Sequence, residues 1–321
     1  MVKIEKVIIH AESLENNKPG DPADREVLII SNNYEENSPL LIGIAGFYGT
    51  ANSFLNRSYS SQDFITTLER ISKQDPDISY LMAIPDTMTS YCGNQYLNSS
   101  AVGNYEDFIV NDLVGFMKEK YGARKTGIFG KSSGGFGAYN LTIRHPEVFS
   151  GFIDVSGDSL FEYCYLKDFP GAIEVFRNSG PGKFLEDFRS KGYHSSQELN
   201  TMEVIAMSAF YSPNTESPYD FDLPFDVESG KIRHDVWNRW LEVDPAKTVE
   251  RSMPVLKGKK IILQVGKKDE FALNIGMSSI HHTLEAHGME HTYHEYDTGH
   301  FSIDYLYQYS IPELAGFLSG L

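Results

Sequence analysis

The stretch TGIFGKSSGGFGAY, Thr126 to Tyr139, sets five glycines around one lysine and two serines directly after a short apolar run. Two chemistries use such a composition, a phosphate cradle and the seat of a nucleophile, and spacing separates them. A P-loop needs glycine, four residues, then Gly-Lys-Ser/Thr. Gly130-Lys131-Ser132 would therefore require glycine at position 125, where Lys125 stands. Read instead as G-x-S-x-G, the residues are Gly130-Lys131-Ser132-Ser133-Gly134, between the strand-like KTGIF and a helical pattern that Pro146 ends. A serine on so sharp a turn has a strained backbone, and its neighbours two residues away must lack side chains. The helix beginning beneath it aims free N–H groups and a positive dipole end at a developing oxyanion. Ser132 is the candidate nucleophile of acyl transfer, and the Ser133 N–H one oxyanion donor.

A nucleophile of this kind needs a base and an acid, in the chain order serine, acid, histidine. After the apolar run KIILQV comes Gly266-Lys267-Lys268-Asp269-Glu270, which puts a carboxylate beyond a strand's carboxyl end, where α/β sites assemble. Asp269 is the candidate acid. Asp297-Thr298-Gly299-His300-Phe301 follows the last strand-like segment and puts His300, the candidate base, on a loop at the same end of the sheet. Asp158, in the SGD that follows another strand, and Asp297 are rival acids. Lys131 is either an exposed residue of the turn without consequence or a group that favours anionic substrates.

Six of the ten histidines fall in HHTLEAHGMEHTYHEYDTGH, a density that a metal site could use. The run has no HExxH. His291 and His294 point to opposite sides of a strand, and His281, His282 and His287 flank a helical stripe without converging. No metal and no cofactor is expected.

These residues need a sheet to carry them. Strand-like runs at 2–10, 26–30, 40–46, 80–84, 125–129, 151–155, 260–265 and 291–296 alternate with helical patterns, which predicts an α/β fold with a mainly parallel central sheet flanked by helices. Asn104 is a candidate cap, with Asp107 three residues on, for a helix ending near Gly122. Leu273, Met277, Ile280 and Leu284 form one stripe of a second helix that stops at Gly288. The rhythm breaks between Ser159 and Arg251, where the loop-like SGPG and SPNTESPYDFDLP separate helical pieces such as SQELNTMEVIAMSAF and HDVWNRWLEV. This region, 159–251, reads as a helical cap-like insertion before the acid-bearing strand, with residues 1–158 and 252–321 as the core. Trp237 and Trp240 lie in it, either covering the strand ends or anchoring the insertion's own core.

Composition limits the partners. The 321 residues carry 28 Lys+Arg against 44 Asp+Glu, a net charge of -16, which repels nucleic acid and anionic membrane surfaces. No segment approaches the length of a membrane span, and the apolar run Val7 to Ile9 is far too short for a signal-peptide core. Cys92 and Cys164 form no CxxC pair, in keeping with a reducing, cytoplasmic compartment. Self-association into a homo-oligomer is compatible with this composition.

Residues 104–157, from NYEDFIVNDLVGFMKEKYG through GIFGKSSGGFGAYNLTIRHPEVFSGFIDVSG, together with GKKDEF and GHFS, resemble the putative-esterase family of α/β-hydrolases, which includes S-formylglutathione hydrolases (esterase D), feruloyl esterases and mycolyltransferases. The resemblance covers about two thirds of the chain and leaves the insertion unmatched. It implies an α/β-hydrolase fold and a serine ester hydrolase of carboxylesterase or thioesterase type acting on a small-molecule ester. Ser132 would be the nucleophile, Asp269 the acid and His300 the base, and the AGFYG turn would supply a second oxyanion N–H from Phe47 or Tyr48. Acyl transfer through the same three residues, and a non-catalytic binding protein on this scaffold, are the alternatives. The chain departs from the family in Ala45-Gly46, where His-Gly is common, and in Lys131, where an apolar or aromatic residue is common.

Overall fold

The computed structural model describes residues 2–123 and 125–320. Its centre is an eight-stranded sheet of β1 (Lys3–His10), β2 (Asp24–Asn32), β3 (Leu40–Ile44), β4 (Tyr80–Pro85), β5 (Thr126–Lys131), β6 (Phe149–Val155), β7 (Lys260–Gly266) and β8 (Thr292–Tyr296). They lie in the order β1-β2-β4-β3-β5-β6-β7-β8. β2 runs antiparallel to β1 and β4, and the remaining pairs are parallel. Each strand-like run of the sequence is a strand of this sheet. A two-residue ribbon, Asn98–Ser99 with Gly103–Asn104, is too short to leave a periodic signal.

The parallel strands read as continuous apolar runs because both faces are covered. Along β5, Ile128 joins one buried cluster and Phe129 the other, and along β7 Ile261 and Leu263 face away from Ile262. One face packs against α1 (Phe64–Gln74). The other receives a helical run that starts at Tyr105, passes through a π turn at Phe108–Leu113 and continues as α2 (Val114–Tyr121), followed by α3 (Ser133–Arg144). Asn104 does not cap that run. The Asn98 Oδ1 accepts the Asp107 N–H at 3.1 Å, so the ribbon holds the helix start from outside the local sequence.

Between β6 and β7 come α4 (Phe169–Ser190), α5 (Ser196–Tyr211), α6 (His234–Leu241) and α7 (Pro245–Leu256). SGPG is not a loop. Gly180, at φ 73°, kinks α4, and Pro181 begins its second half, where a missing N–H costs nothing. The boundary at residue 251 falls within α7, which packs on α3 and on α8 (Leu273–Ala286), so that helix belongs with the layer flanking the sheet. Finally α9 (Tyr307–Ser319) returns to the α1 face.

Trp240 is fully buried among Tyr165, Phe169 and Tyr211, and its indole N–H donates to Ser212 Oγ at 3.0 Å. Trp237 packs beside it. Both tryptophans therefore anchor the helices between β6 and β7.

Candidate active site

The turn between β5 and α3 gives Ser132 φ 58° and ψ -128°, a conformation non-glycine residues rarely adopt. Two contacts hold it there: the Ser132 N–H donates to Val155 O of β6 at 3.0 Å, and its carbonyl accepts from Phe136 N at 3.0 Å. The flanking glycines are required by space. A Cβ on Gly130 would meet the Gly134 backbone at 2.4 Å, and one on Gly134 would meet Ile44 O at 2.3 Å.

His300 and Asp269 come together on the loops that follow β8 and β7. His300 Nδ1 lies 2.8 Å from Asp269 Oδ2, with side chains 5% and 0% exposed. Asp269 Oδ1 accepts the backbone N–H groups of Phe271 at 2.9 Å and Leu273 at 3.4 Å. Burial works to raise the Asp269 pKa, but the hydrogen bond and charge of His300 and these two N–H groups hold it below the usual carboxylate range.

The histidine loop is gripped from both sides. Glu270 Oε2 accepts the His300 N–H at 2.6 Å, and Lys131 Nζ donates to the His300 carbonyl at 3.1 Å. Lys131 is thus neither a free surface residue nor a wall of the cavity beside Ser132. Burial pushes its pKa down, and Asp304, Asp269 and Glu270 pull it back up.

Of the rival acids, Asp297 is exposed and pairs with Lys268 at 2.7 Å. Asp158 is buried beside the serine turn, where its Oδ2 accepts from Tyr165 OH at 2.8 Å and Ser133 Oγ at 3.0 Å. Gln95 Nε2 in turn donates to Ser133 Oγ at 2.7 Å. Ser132 Oγ is 3.5 Å from Asp158 Oδ1, the outer limit of a hydrogen bond. Burial raises the Asp158 pKa, an effect the Tyr165 and Ser133 hydroxyls only partly offset.

The oxyanion candidates also separate. The Tyr48 N–H is committed to Cys92 O at 3.1 Å, which removes Tyr48 as a donor, while the Phe47 and Ser133 N–H groups have no backbone acceptor among the described residues. Tyr48 serves otherwise: its hydroxyl donates to Leu199 O at 2.9 Å and ties the AGFYG turn to α5.

Ser132, Asp158 and His300 open into a cavity of about 350 Å³. Phe47, Tyr48, Tyr165, Phe271 and Phe301 form much of its wall, and α5 contributes Ser196, Leu199, Asn200 and Glu203. Sequence reasoning did not single out Glu203. Its only trace there is the spacing of those four residues, which puts them on one helix face. Among the described residues, no group of three or more His, Cys, Asp or Glu side chains could hold a metal ion, and no helix is long and apolar enough to cross a membrane.

The sequence pattern of the family described as "Putative esterase" matches residues 92–314, a span that includes Ser132, Asp269 and His300. The chain belongs to that family. It is an α/β-hydrolase, a serine hydrolase acting on ester bonds. No curated protein matches it in sequence. Among solved structures it is similar to a ferulic acid esterase, at 15% identity and TM-score 0.59 over 100% of this chain and 98% of that one. It is also similar to an S-formylglutathione hydrolase from Agrobacterium tumefaciens, at 12% identity and TM-score 0.57 over 98% and 94%. MPT51 of Mycobacterium tuberculosis aligns at 13% identity and TM-score 0.56 over 98% of both chains. At such identities these three likenesses speak for the fold.

Proposed function

We propose that the ester bond is broken by Ser132, His300 and Asp269 acting as a catalytic triad on a small-molecule ester. The observation that carries this reading is the 2.8 Å contact between His300 Nδ1 and a fully buried Asp269, on loops at the strand ends that also bear the strained Ser132. With Nδ1–H donated to Asp269, Nε2 is left as the basic nitrogen. The weak 3.5 Å contact to Asp158 leaves the Ser132 hydroxyl free to turn to that nitrogen when substrate enters. Ser132 Oγ attacks the carbonyl carbon while His300 takes its proton. The tetrahedral oxyanion is received by the Phe47 and Ser133 N–H groups, at the N-terminus of α3. Collapse expels the alcohol or thiol, which takes the proton from His300, and water activated by the same nitrogen then releases the acyl group. None of these steps requires a metal or cofactor.

In this reading the part of 159–251 that precedes α7 acts as the cap, α7 itself packing with the core, and α5 is the wall that limits substrate size. The two unpaired cysteines favour a cytoplasmic location. The test is fluorophosphonate labelling together with hydrolysis of short and long p-nitrophenyl esters and thioesters. Ser132→Ala should fold, lose the label and lose hydrolysis by several orders of magnitude. Activity near that of the natural chain in this variant would refute the assignment.

A further inference from the structure

The cavity beside Ser132 has a one-sided chemistry. Its lining includes two carboxyl groups, Glu203 on α5 and Asp158 after β6, and no lysine or arginine among the described residues. Glu203 has no hydrogen-bond partner among the described side chains, whereas Asp158 is fixed by Tyr165 and Ser133 with Oδ1 left toward the serine. Around them stand the rings of Phe47, Tyr48, Tyr165 and Phe271. Two lysines stand just behind the lining and both are engaged: Lys167 pairs with Asp168 at 3.0 Å and lies over the Phe271 ring, and Lys131 donates to the His300 carbonyl at 3.1 Å beside the Phe301 ring. An anionic substrate would find no partner here, and the chain's net charge of -16 would oppose its approach. A purely apolar substrate would bury Glu203 against nothing that could satisfy it, at a cost. A positively charged amine meets carboxylates and ring faces together, the combination that stabilises ammonium groups away from water.

We propose that the cavity selects esters carrying a positively charged amine, received between the Glu203 and Asp158 carboxyls and the surrounding aromatic rings. This rests on the triad reading of the same cavity. It carries a second consequence. Burial pushes the Glu203 pKa up to about 8, with Asp158 and Asp168 adding to the rise and Lys167 opposing it. Asp158, Tyr48, Cys164, Tyr165 and His300 are the other titratable groups that share the cavity with it. Near neutral pH the empty site therefore holds a proton on Glu203, and a bound ammonium must displace it. Preference for the cation should grow as pH rises toward about 8.

The experiment compares kcat/KM for two matched pairs. One pair is choline acetate and its tert-butyl carbon isostere. The other is the p-nitrophenyl ester of a trimethylammonium-bearing acid and of the tert-butyl isostere of that acid. The ratio within a pair cancels ionisations that both esters share, including that of His300. Expected is a ratio favouring the cation by on the order of tenfold in at least one pair. That ratio should rise between about pH 6 and pH 8 and fall toward one in Glu203→Gln. A ratio at or below one in both pairs for the natural chain overturns the inference while leaving the esterase reading intact. So does a cation preference that Glu203→Gln retains. Should Glu203→Gln fail to fold, the same ratio measured in Glu203→Ala takes its place, a retained cation preference being the refuting result. Absence of both hydrolysis and Ser132 labelling overturns the triad reading and this inference with it.

Discussion

Asp269→Asn is the most informative substitution, because the carboxylate's surroundings dictate how the amide must sit. In the natural chain Oδ1 accepts two backbone N–H groups, from Phe271 at 2.9 Å and Leu273 at 3.4 Å, and Oδ2 faces His300 Nδ1 at 2.8 Å. An amide with its NH₂ at the Oδ1 position would set donor against two donors and leave them unsatisfied in a buried site, at roughly 1–3 kcal/mol each. The oxygen must therefore take the Oδ1 position, and the NH₂ is driven toward His300. Nδ1 then has to accept rather than donate, which moves the imidazole proton to Nε2, the nitrogen that should receive the serine proton.

The expected loss in kcat is on the order of 10⁴, the size seen where a triad acid is made an amide, or about 5.5 kcal/mol of barrier. KM should change little, since Asp269 does not line the cavity. The assay is kcat on a p-nitrophenyl ester, with circular dichroism to establish folding. A folded Asp269→Asn variant within tenfold of the natural rate would refute the reasoning. If Asp158→Asn proved the crippled variant instead, the acid would have to be reassigned to β6. Asp297→Asn, on an exposed side chain paired with Lys268, should leave kcat unchanged.

Two further substitutions probe the frame of the site. Asp154 lies fully buried behind the serine turn, and burial pushes its pKa to about 8, with Asp158 adding to the rise and the Gly157 N–H opposing it. The folded chain thus keeps a proton that the unfolded chain releases near pH 4, so this group contributes stability at low pH that is lost as pH rises toward about 8. Asp154→Asn should remove that loss, its melting temperature gaining on the natural chain's between about pH 5 and pH 8, and parallel curves would contradict the account. Trp240→Ala should cost about 3–5 kcal/mol of unfolding free energy, read as a lowered urea midpoint, since a 0% exposed ring leaves a cavity and Ser212 loses its donor. Where the variant still folds, its ester-length preference should match that of the natural chain; a changed preference would put Trp240 in the cavity wall.

What could be read from the sequence, and what could not, follows from the range of the interactions concerned. The strands were legible because a sheet covered on both faces needs unbroken apolar runs, as in Ile128-Phe129 and Ile261-Ile262-Leu263. Ser132 was legible because a strained turn imposes local demands on Gly130 and Gly134. Asp269 and His300 were nameable because each directly follows a strand of the same parallel sheet, and parallel strands deliver their ends to one edge. Everything that depends on a neighbour distant in the chain was illegible. Asn98 replaces Asn104 at the helix start, Cys92 takes the Tyr48 N–H, and Lys131 turns to the His300 carbonyl. Asp158 illustrates the limit most clearly. As a loop aspartate after a strand it stands as a rival to Asp269, yet Tyr165 and Ser133 occupy one of its oxygens, while of the candidate acids it is Asp269 that meets the imidazole. Glu203 belongs to the same class: its helix is polar and apolar in no special pattern, and it acquires meaning only because α5 is laid over the strand ends. Chemistry set by the turn of a single strand can thus be read one residue at a time, whereas specificity set by the packing of α5 against the loops after β3, β6 and β7 cannot.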